Sequence, residues 1–508
     1  MIAMDAAEAS LVERWMAEGV LPNLALLRER GAWGRLESPA SFLNAAAWPT
    51  FVSGMGPARN GIYNYLIWNP DTLSYERPGP DLPDLPPFWR RAAEECGVRT
   101  IALDIPYVYP ADDFDGLELH GWAGHYKLVP TFTLPPDWLK TVYREFGEAP
   151  IEGYGPGVLP VRKYFELRDT LVAASRRATD MAATLIEREA WDLFLISLSA
   201  THSGGHQLWD ATNVRGEMSA EEADELDGAL RALYVESDRA IGQLLEAAGE
   251  TPCLVFALHG MGDNTGLGSI LPEMLDRVLN GGPPPEEEAA RPSLLHRLRA
   301  AVPVEWRSAV KRRLPAALQD RLTLFWRRSS AADWDATRAF CLLPDREGFV
   351  RINLEGREKQ GIVAPGAEYD ELCEEIRTGL SSFVFPDTGE PVVHRIASPE
   401  ELMPGIEADV RRRLPDLIVH WTDRAAADVT GVSSPRFGDI AWPTPGQVVD
   451  GQSGHHRGTG WCIAAGRGVE SGGYIEGGSV ADLTATALAA LGCPVPAEFD
   501  GRPLKVFQ

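Results

Sequence analysis

Apolar residues along the chain crowd into short runs, and several of these runs end in a side chain able to bind a ligand. The densest is Leu193-Phe-Leu-Ile-Ser-Leu-Ser199, in which five of seven residues are apolar. That is the pattern of a strand buried on both faces of a parallel sheet. Ile2-Ala-Met4 before Asp5, Val98 to Asp104, and Cys253 to Leu258 before His259 have the same character, and Leu417–Trp421 and Trp461–Ala465 are two later strand candidates. Between them lie stretches with apolar positions at helical spacing: Ala6 to Gly19, Leu21 to Arg30, Leu43 to Gly54, Pro87 to Cys96, Val161 to Glu189, Ala220 to Ala248 and Val480 to Leu491. The proline-rich stretch from Asn69 to Pro87 reads as loop. Alternating strand and helix predicts an α/β fold, a three-layer α/β/α sandwich around a mostly parallel sheet. Ligands gather at the carboxyl ends of the strands in such sheets.

Residues 268–335 break this rhythm. Gly281-Gly-Pro-Pro-Pro-Glu-Glu-Glu288 has linker composition, and the following segment interleaves Arg297, Arg299, Arg307, Lys311, Arg312, Arg313, Arg321, Arg327 and Arg328 with leucine, tryptophan and phenylalanine. The chain therefore divides into a core of 1–268, a basic helical insertion of 269–335, and a second part of the core, 336–508. The insertion reads as a solvated helical segment, as a lid over an anionic substrate, or as a membrane-surface contact through 293–328.

Composition narrows the partners. A formal net charge of -25 over 508 residues argues against nucleic-acid binding, since phosphate backbones attract the opposite sign. A small anionic substrate therefore needs local positive charge, from arginine or a metal. The six cysteines are widely spaced without a C-x-x-C pair, so they read as thiols of a reducing compartment. A strand candidate follows Met1 with no room for a signal peptide, and no apolar run approaches the roughly 18 residues of a membrane span. The expected localisation is cytoplasmic; oligomeric state is left open.

Four separated stretches carry metal-capable side chains: Asp5, the pair His202 and His206, His259, and Ser453-Gly-His-His-Arg457 with His456. The first three follow strand candidates, so all converge at one sheet edge. His202 and His206 stand at i and i+4; a helix after Thr201 puts both on one face, and a loop lets Gly204 and Gly205 bring them together.

In order and local sequence these stretches resemble the alkaline phosphatase superfamily, in its type I phosphodiesterase and nucleotide pyrophosphatase branch. The resemblance rests on Met4-Asp-Ala-Ala-Glu8, Leu21-Pro-Asn-Leu24, Gly31-Ala-Trp-Gly34, Ala47-Trp-Pro-Thr-Phe-Val-Ser-Gly54, Asn60-Gly-Ile62, Thr201-His-Ser-Gly-Gly-His206, His259-Gly-Met-Gly262 and Gly454-His-His-Arg457. It implies an alkaline-phosphatase-like fold and one or two divalent metal ions, most plausibly Zn2+. Their ligands would be drawn from Asp5, Asn44, His202, His206, His259 and His456. The implied activity is hydrolysis of a phosphoric ester, a phosphodiester or pyrophosphate above all.

Two departures alter that chemistry. Asn44 stands where a Ser or Thr nucleophile is expected, and its amide can bind a metal or an oxyanion but cannot become an alkoxide. Leu258 stands where the resemblance calls for an aspartate. The implied nucleophile-side metal site keeps Asp5 and His259 but loses a carboxylate, while the other becomes His202, His206 and His456, and three neutral imidazoles plus a water make a good catalytic zinc set. Attack then falls to a metal-bound hydroxide, with Asn44 as the catalytic-position residue. The alternatives are a non-catalytic relative that binds a metal or anion, or a head-group transferase or sulfatase on the same fold. Ser41, Thr50 and Ser53 are nearby hydroxyls, Thr50 favoured as a back-bonded helical residue. His125 is a pocket-lining candidate, and Asp263 and Asn264 offer oxygens in place of Leu258.

Overall fold

The computed structural model describes residues 1–79, 86–111, 115–124, 130–150, 157–282, 333–448 and 451–507. His125 and the basic segment from Arg297 to Arg328 lie outside these residues. The chain groups into two compact units, one of Met1–Tyr65, Pro78–Asn264 and Gln447–Gln508, the other of Leu66–Arg77 and Thr265–Gly446. The described ends of the expected insertion, 269–282 and 333–335, fall in the second unit. The chain returns to the first at Gln447.

The first unit is built on a ten-stranded sheet. Its middle runs Cys253–Ala257, Ile2–Met4, Leu193–Leu198, Thr100–Leu103, Gly116–His120, all parallel. Thr459–Ala465 joins one side antiparallel, between Cys253–Ala257 and Ala32–Glu37, and Phe132–Leu134 closes the other. The alternation of side chains along each strand explains why the runs are continuously apolar. Ile2, Met4, Phe194, Ile196, Leu198, Val255 and Ala257 enter one core with the helices Ala9–Ala17, Pro22–Arg30, Val161–Arg188 and Ala229–Ala248. Ala3, Leu193, Leu195, Leu254 and Phe256 enter another, under Ala47–Ser53, Phe88–Cys96 and Val480–Ala490. Both faces are covered, so every second residue must be as apolar as its neighbour. This is the expected three-layer α/β/α sandwich.

The second unit has an antiparallel sheet in the order Ala339–Cys341, Gly348–Ile352, Leu417–Trp421, Val393–Ala397. Leu417–Trp421 thus belongs to a sheet of its own, apart from the parallel one. Within the stretch expected to be loop, Ser74–Glu76 pairs with Ile67–Asn69 in a hairpin. Three-residue strands are too short to show a period. Their order comes from contacts such as Trp68 Nε1 donating to Glu358 Oε2 at 3.0 Å, with a partner 290 positions away. The expected helix Ala220–Ala248 is two, Ala220–Asp227 and Ala229–Ala248, divided at Gly228. Among the described residues no helix is long and apolar enough to cross a membrane.

Candidate metal centre

Three adjacent parallel strands deliver the site. Asp5 follows Ile2–Met4, His259 follows Cys253–Ala257, and Leu193–Leu198 runs through Ser199 into the helix Ala200–Leu208. Parallel strands end at the same edge, so residues 5, 202 and 259 meet there although the chain separates them widely. The helical alternative holds after the strand, and His202 and His206 share a face with ring centroids 4.9 Å apart. Gly204 and Gly205 are helical, and their role is close approach. A Cβ on Gly204 would stand 2.1 Å from Leu233 Cδ1, and one on Gly205 would stand 2.8 Å from Met261 Cε. His456 lies on Gly454–Arg457, which pairs antiparallel with Gly260–Asp263 and sets His456 opposite Met261.

The imidazoles are oriented by oxygen acceptors. His202 Nδ1 donates to Asp5 Oδ2 at 2.9 Å, His206 Nδ1 to the Gly454 carbonyl at 2.9 Å, and His456 Nδ1 to Asn44 Oδ1 at 2.5 Å. With the Nδ1 proton committed in each ring, Nε2 carries the lone pair. Those Nε2 atoms turn toward one another: His202 to His206 is 3.1 Å and His202 to His456 is 3.0 Å. The His206 and His456 ring centroids are 4.7 Å apart. Lone pairs that face one another at such distances repel unless a cation lies among them. Tetrahedral Zn–N bonds of about 2.0–2.1 Å require N···N separations of about 3.3 Å, close to those found. The donor set therefore fits a divalent ion, and its Nδ1 acceptors are the outer partners that metal-binding histidines use.

The electrostatics agree. Burial pushes the His456 pKa well below its ordinary value, and the neighbouring rings of His259, His202, His206 and His455 push it the same way. A neutral imidazole is the form a metal needs.

Asp5 and Asn44, expected as direct ligands, place their oxygens on imidazole Nδ1 atoms. Asp5 Oδ1 also accepts from Trp48 Nε1 at 2.9 Å, and its main-chain carbonyl accepts from Thr201 Oγ1 at 2.6 Å. His259 is adjacent, with Nε2 4.0 Å from Asp5 Oδ1 and its ring centroid 4.3 Å from that of His456. His202, His259 and His456 also bring one ligating atom each within 4.8 Å of one another. The two triads share His202 and His456. His206 faces the cluster through His202, its Nε2 3.1 Å from that of His202, while His259 is the member whose ligating atom lies close to those of both His202 and His456.

The other candidates stand apart from this cluster. Leu258 packs in the apolar core. Asp263 Oδ1 accepts from Trp209 Nε1, and Asn264 Nδ2 donates to the Gln452 carbonyl. Thr50 Oγ1 donates to the Ala46 carbonyl at 2.7 Å and Ser53 Oγ to that of Pro49 at 2.7 Å, both back-bonded within their helix. Ser41 is exposed, at the end of a short 3-10 turn. Sequence reading missed Trp48, the Gly454 carbonyl, and His455, whose Nδ1 accepts from the His456 amide at 2.9 Å. The only available signals were the place of Trp48, four residues after Asn44, and the doubled histidine at 455 and 456.

Comparison with known proteins gives a family and a fold. The family model for type I phosphodiesterase / nucleotide pyrophosphatase matches residues 1–430, a stretch that ends before His456. No curated protein matches the chain in sequence. Phosphonoacetate hydrolase from Sinorhizobium meliloti 1021, solved with phosphonoformate, is similar in structure, with a TM-score of 0.51 and 13% identity over 96% of this chain and 95% of that one. Human ectonucleotide pyrophosphatase / phosphodiesterase 5 gives a TM-score of 0.49 and 10% identity over 98% and 96%.

Proposed function

Because the chain belongs to the type I phosphodiesterase / nucleotide pyrophosphatase family, with its alkaline-phosphatase-like fold, we propose that it hydrolyses a phosphoric ester at a divalent metal centre held by Nε2 of His202, His206 and His456. The observation that carries this reading is that His202 Nε2 stands 3.1 Å from His206 Nε2 and 3.0 Å from His456 Nε2, each ring oriented by an oxygen on its far side. A Zn2+ ion bound there would supply Lewis-acid activation of water and charge stabilisation of the phosphoryl oxygens.

The remaining roles belong to the chain. Asp5 and Asn44 act as positioning residues, holding His202 and His456 in the tautomer that presents Nε2. Trp48 in turn fixes Asp5. Asn44 has no hydroxyl, and those of Thr50 and Ser53 are engaged with carbonyls of their own helix. Water is then the attacking oxygen, in a single displacement that inverts phosphorus.

A second reading, a relative that binds a metal or anion without turnover, is favoured by Asn44 and Leu258 at the two departed positions. One experiment separates them. The protein is loaded with Zn2+, its metal content is measured, and a panel of p-nitrophenyl phosphodiesters and nucleotide pyrophosphates is assayed before and after chelation. Turnover lost on chelation and restored by the ion supports the hydrolase; bound metal without turnover on any ester supports the binding protein.

A further inference from the structure

Two stretches that carry ligand candidates, Met4-Asp-Ala-Ala-Glu8 and His259-Gly-Met-Gly262, meet at residues outside the histidine cluster. Glu8 caps the helix Ala9–Ala17, its Oε1 accepting from the Ser10 amide at 3.1 Å and from Ser10 Oγ at 2.8 Å. Its Oε2 reaches across 253 positions to accept from the Met261 amide at 3.2 Å. The Glu8 main chain is fixed from the helix Ala229–Ala248, where its own amide donates to the hydroxyl of buried Tyr234 at 2.8 Å. Gly260 leaves room for the carboxylate, since a Cβ there would stand 2.1 Å from Glu8 Oε2.

Met261 carries this bond to the metal centre. The strand Gly260–Asp263 pairs with a single strand, Gly454–Arg457. Alternate amides of such a ladder face away from it, and a buried one needs another acceptor. Met261 is buried, and Glu8 is that acceptor. In the ladder Met261 stands opposite His456. Its side chain also packs on the helix Ala200–Leu208, with Cε 2.8 Å from where a Cβ on Gly205 would lie. A shift of Met261 is thus passed to His456 through the ladder and to the helix of His202 and His206 through Gly205. We propose that Glu8 is a positioning residue of the metal centre, its carboxylate fixing Met261 so that His456 and His206 keep their approach to His202; this role rests on the histidine cluster binding a metal ion.

Two variants of the full chain separate the two jobs of this side chain. Glu8→Asp keeps a good helix cap but is too short to reach Met261, whereas Glu8→Gln keeps the reach and an acceptor oxygen and weakens the cap. Each is titrated with Zn2+ by calorimetry and loaded with Co2+, whose visible absorption reports the number and geometry of its ligands. Glu8→Asp should bind Zn2+ about 10-fold more weakly, the low end for loss of an outer partner of a metal site, with an altered Co2+ spectrum. Glu8→Gln should stay close to wild type in both. In the metal-free proteins the Met261 amide should exchange its hydrogen faster in Glu8→Asp than in Glu8→Gln. A residue that only caps its helix gives the reverse order, with Glu8→Asp like wild type and Glu8→Gln impaired, and that result would overturn the proposal. Equal affinities and unchanged spectra in both variants would overturn it as well. Wild type that binds neither ion would instead remove the metal centre itself, and this role with it.

Discussion

The amide oxygen of Asn44 lies 2.5 Å from Nδ1 of His456. At the position where relatives in this family are expected to carry a hydroxyl nucleophile, this chain carries a hydrogen-bond acceptor that orients an imidazole. If that is its role, Asn44→Ala should lower Zn2+ affinity by about 10–100-fold, the range for losing an outer partner of a metal-binding histidine. Asn44→Asp, which keeps an acceptor oxygen, should recover most of it. Titration calorimetry with Zn2+ decides: equal affinity for wild type and Asn44→Ala would rule the role out, whatever the activities.

Metal stoichiometry follows from the same geometry. Asp5 spends its oxygens on His202 and Trp48, and Leu258 has no ligand atom. The chain should bind one tight Zn2+ equivalent, and His206→Ala should remove it. Elemental analysis giving two tight equivalents would make Asp5 and His259 ligands of a second ion.

Catalysis without a side-chain nucleophile makes a chemical prediction. Quenching during turnover of a labelled ester should leave no label on the protein, and Thr50→Val and Ser53→Ala should retain turnover within a few-fold. Recovery of a labelled peptide containing Ser41, Thr50 or Ser53 would transfer the nucleophile to that hydroxyl.

Gly204 bears on packing. An added Cβ would fall 2.1 Å from Leu233 Cδ1, so Gly204→Ala should force the buried Leu233 side chain to repack between the helices Ala200–Leu208 and Ala229–Ala248. The expected loss is about 1–3 kcal/mol, the usual cost of overpacking. Because the helix carries His202 and His206, Zn2+ affinity should fall with it. A variant as stable as wild type in urea would show that Leu233 yields at no cost.

Acid should destabilise both units. Burial opposes the charge of Glu118, but hydrogen bonds from His120 and Arg90 outweigh it and hold the carboxyl down to about 2, against an ordinary 4.5. Its stabilisation is complete above 4.5 and is lost as pH falls through the folded value. In the second unit burial, with Arg346, Arg395 and His394, lowers His420 from 6.5 to about 4. The unfolded chain takes up that proton first, so stability from this group falls as pH drops from 6.5 toward 4. Urea midpoints should decline from pH 7 through 5.5 to 4.5 on account of His420 and fall further below pH 4.5 on account of Glu118; a flat profile in the first window would contradict the His420 assignment, and one in the second the Glu118 assignment.

Sequence alone determined the frame. Continuous apolar runs ending in Asp5, in the segment before His202, and in His259 could only be strands buried on both faces, and parallel strands present their ends at one edge. The spacing of His202 and His206, and the resemblance that singles out His456, completed a candidate ligand set. What each polar side chain faces was decided by tertiary structure. Asn44 and His456 are 412 positions apart, and Trp48 reaches Asp5 across 43. A residue type states which bonds it can make, whereas the choice between metal ligand and imidazole acceptor depends on which atom the fold brings within 3 Å. The same holds for Gly204 and Gly205: in sequence they suggest freedom, but in the folded chain they are places where the side chains of Leu233 and Met261 fill the space a methyl group would take.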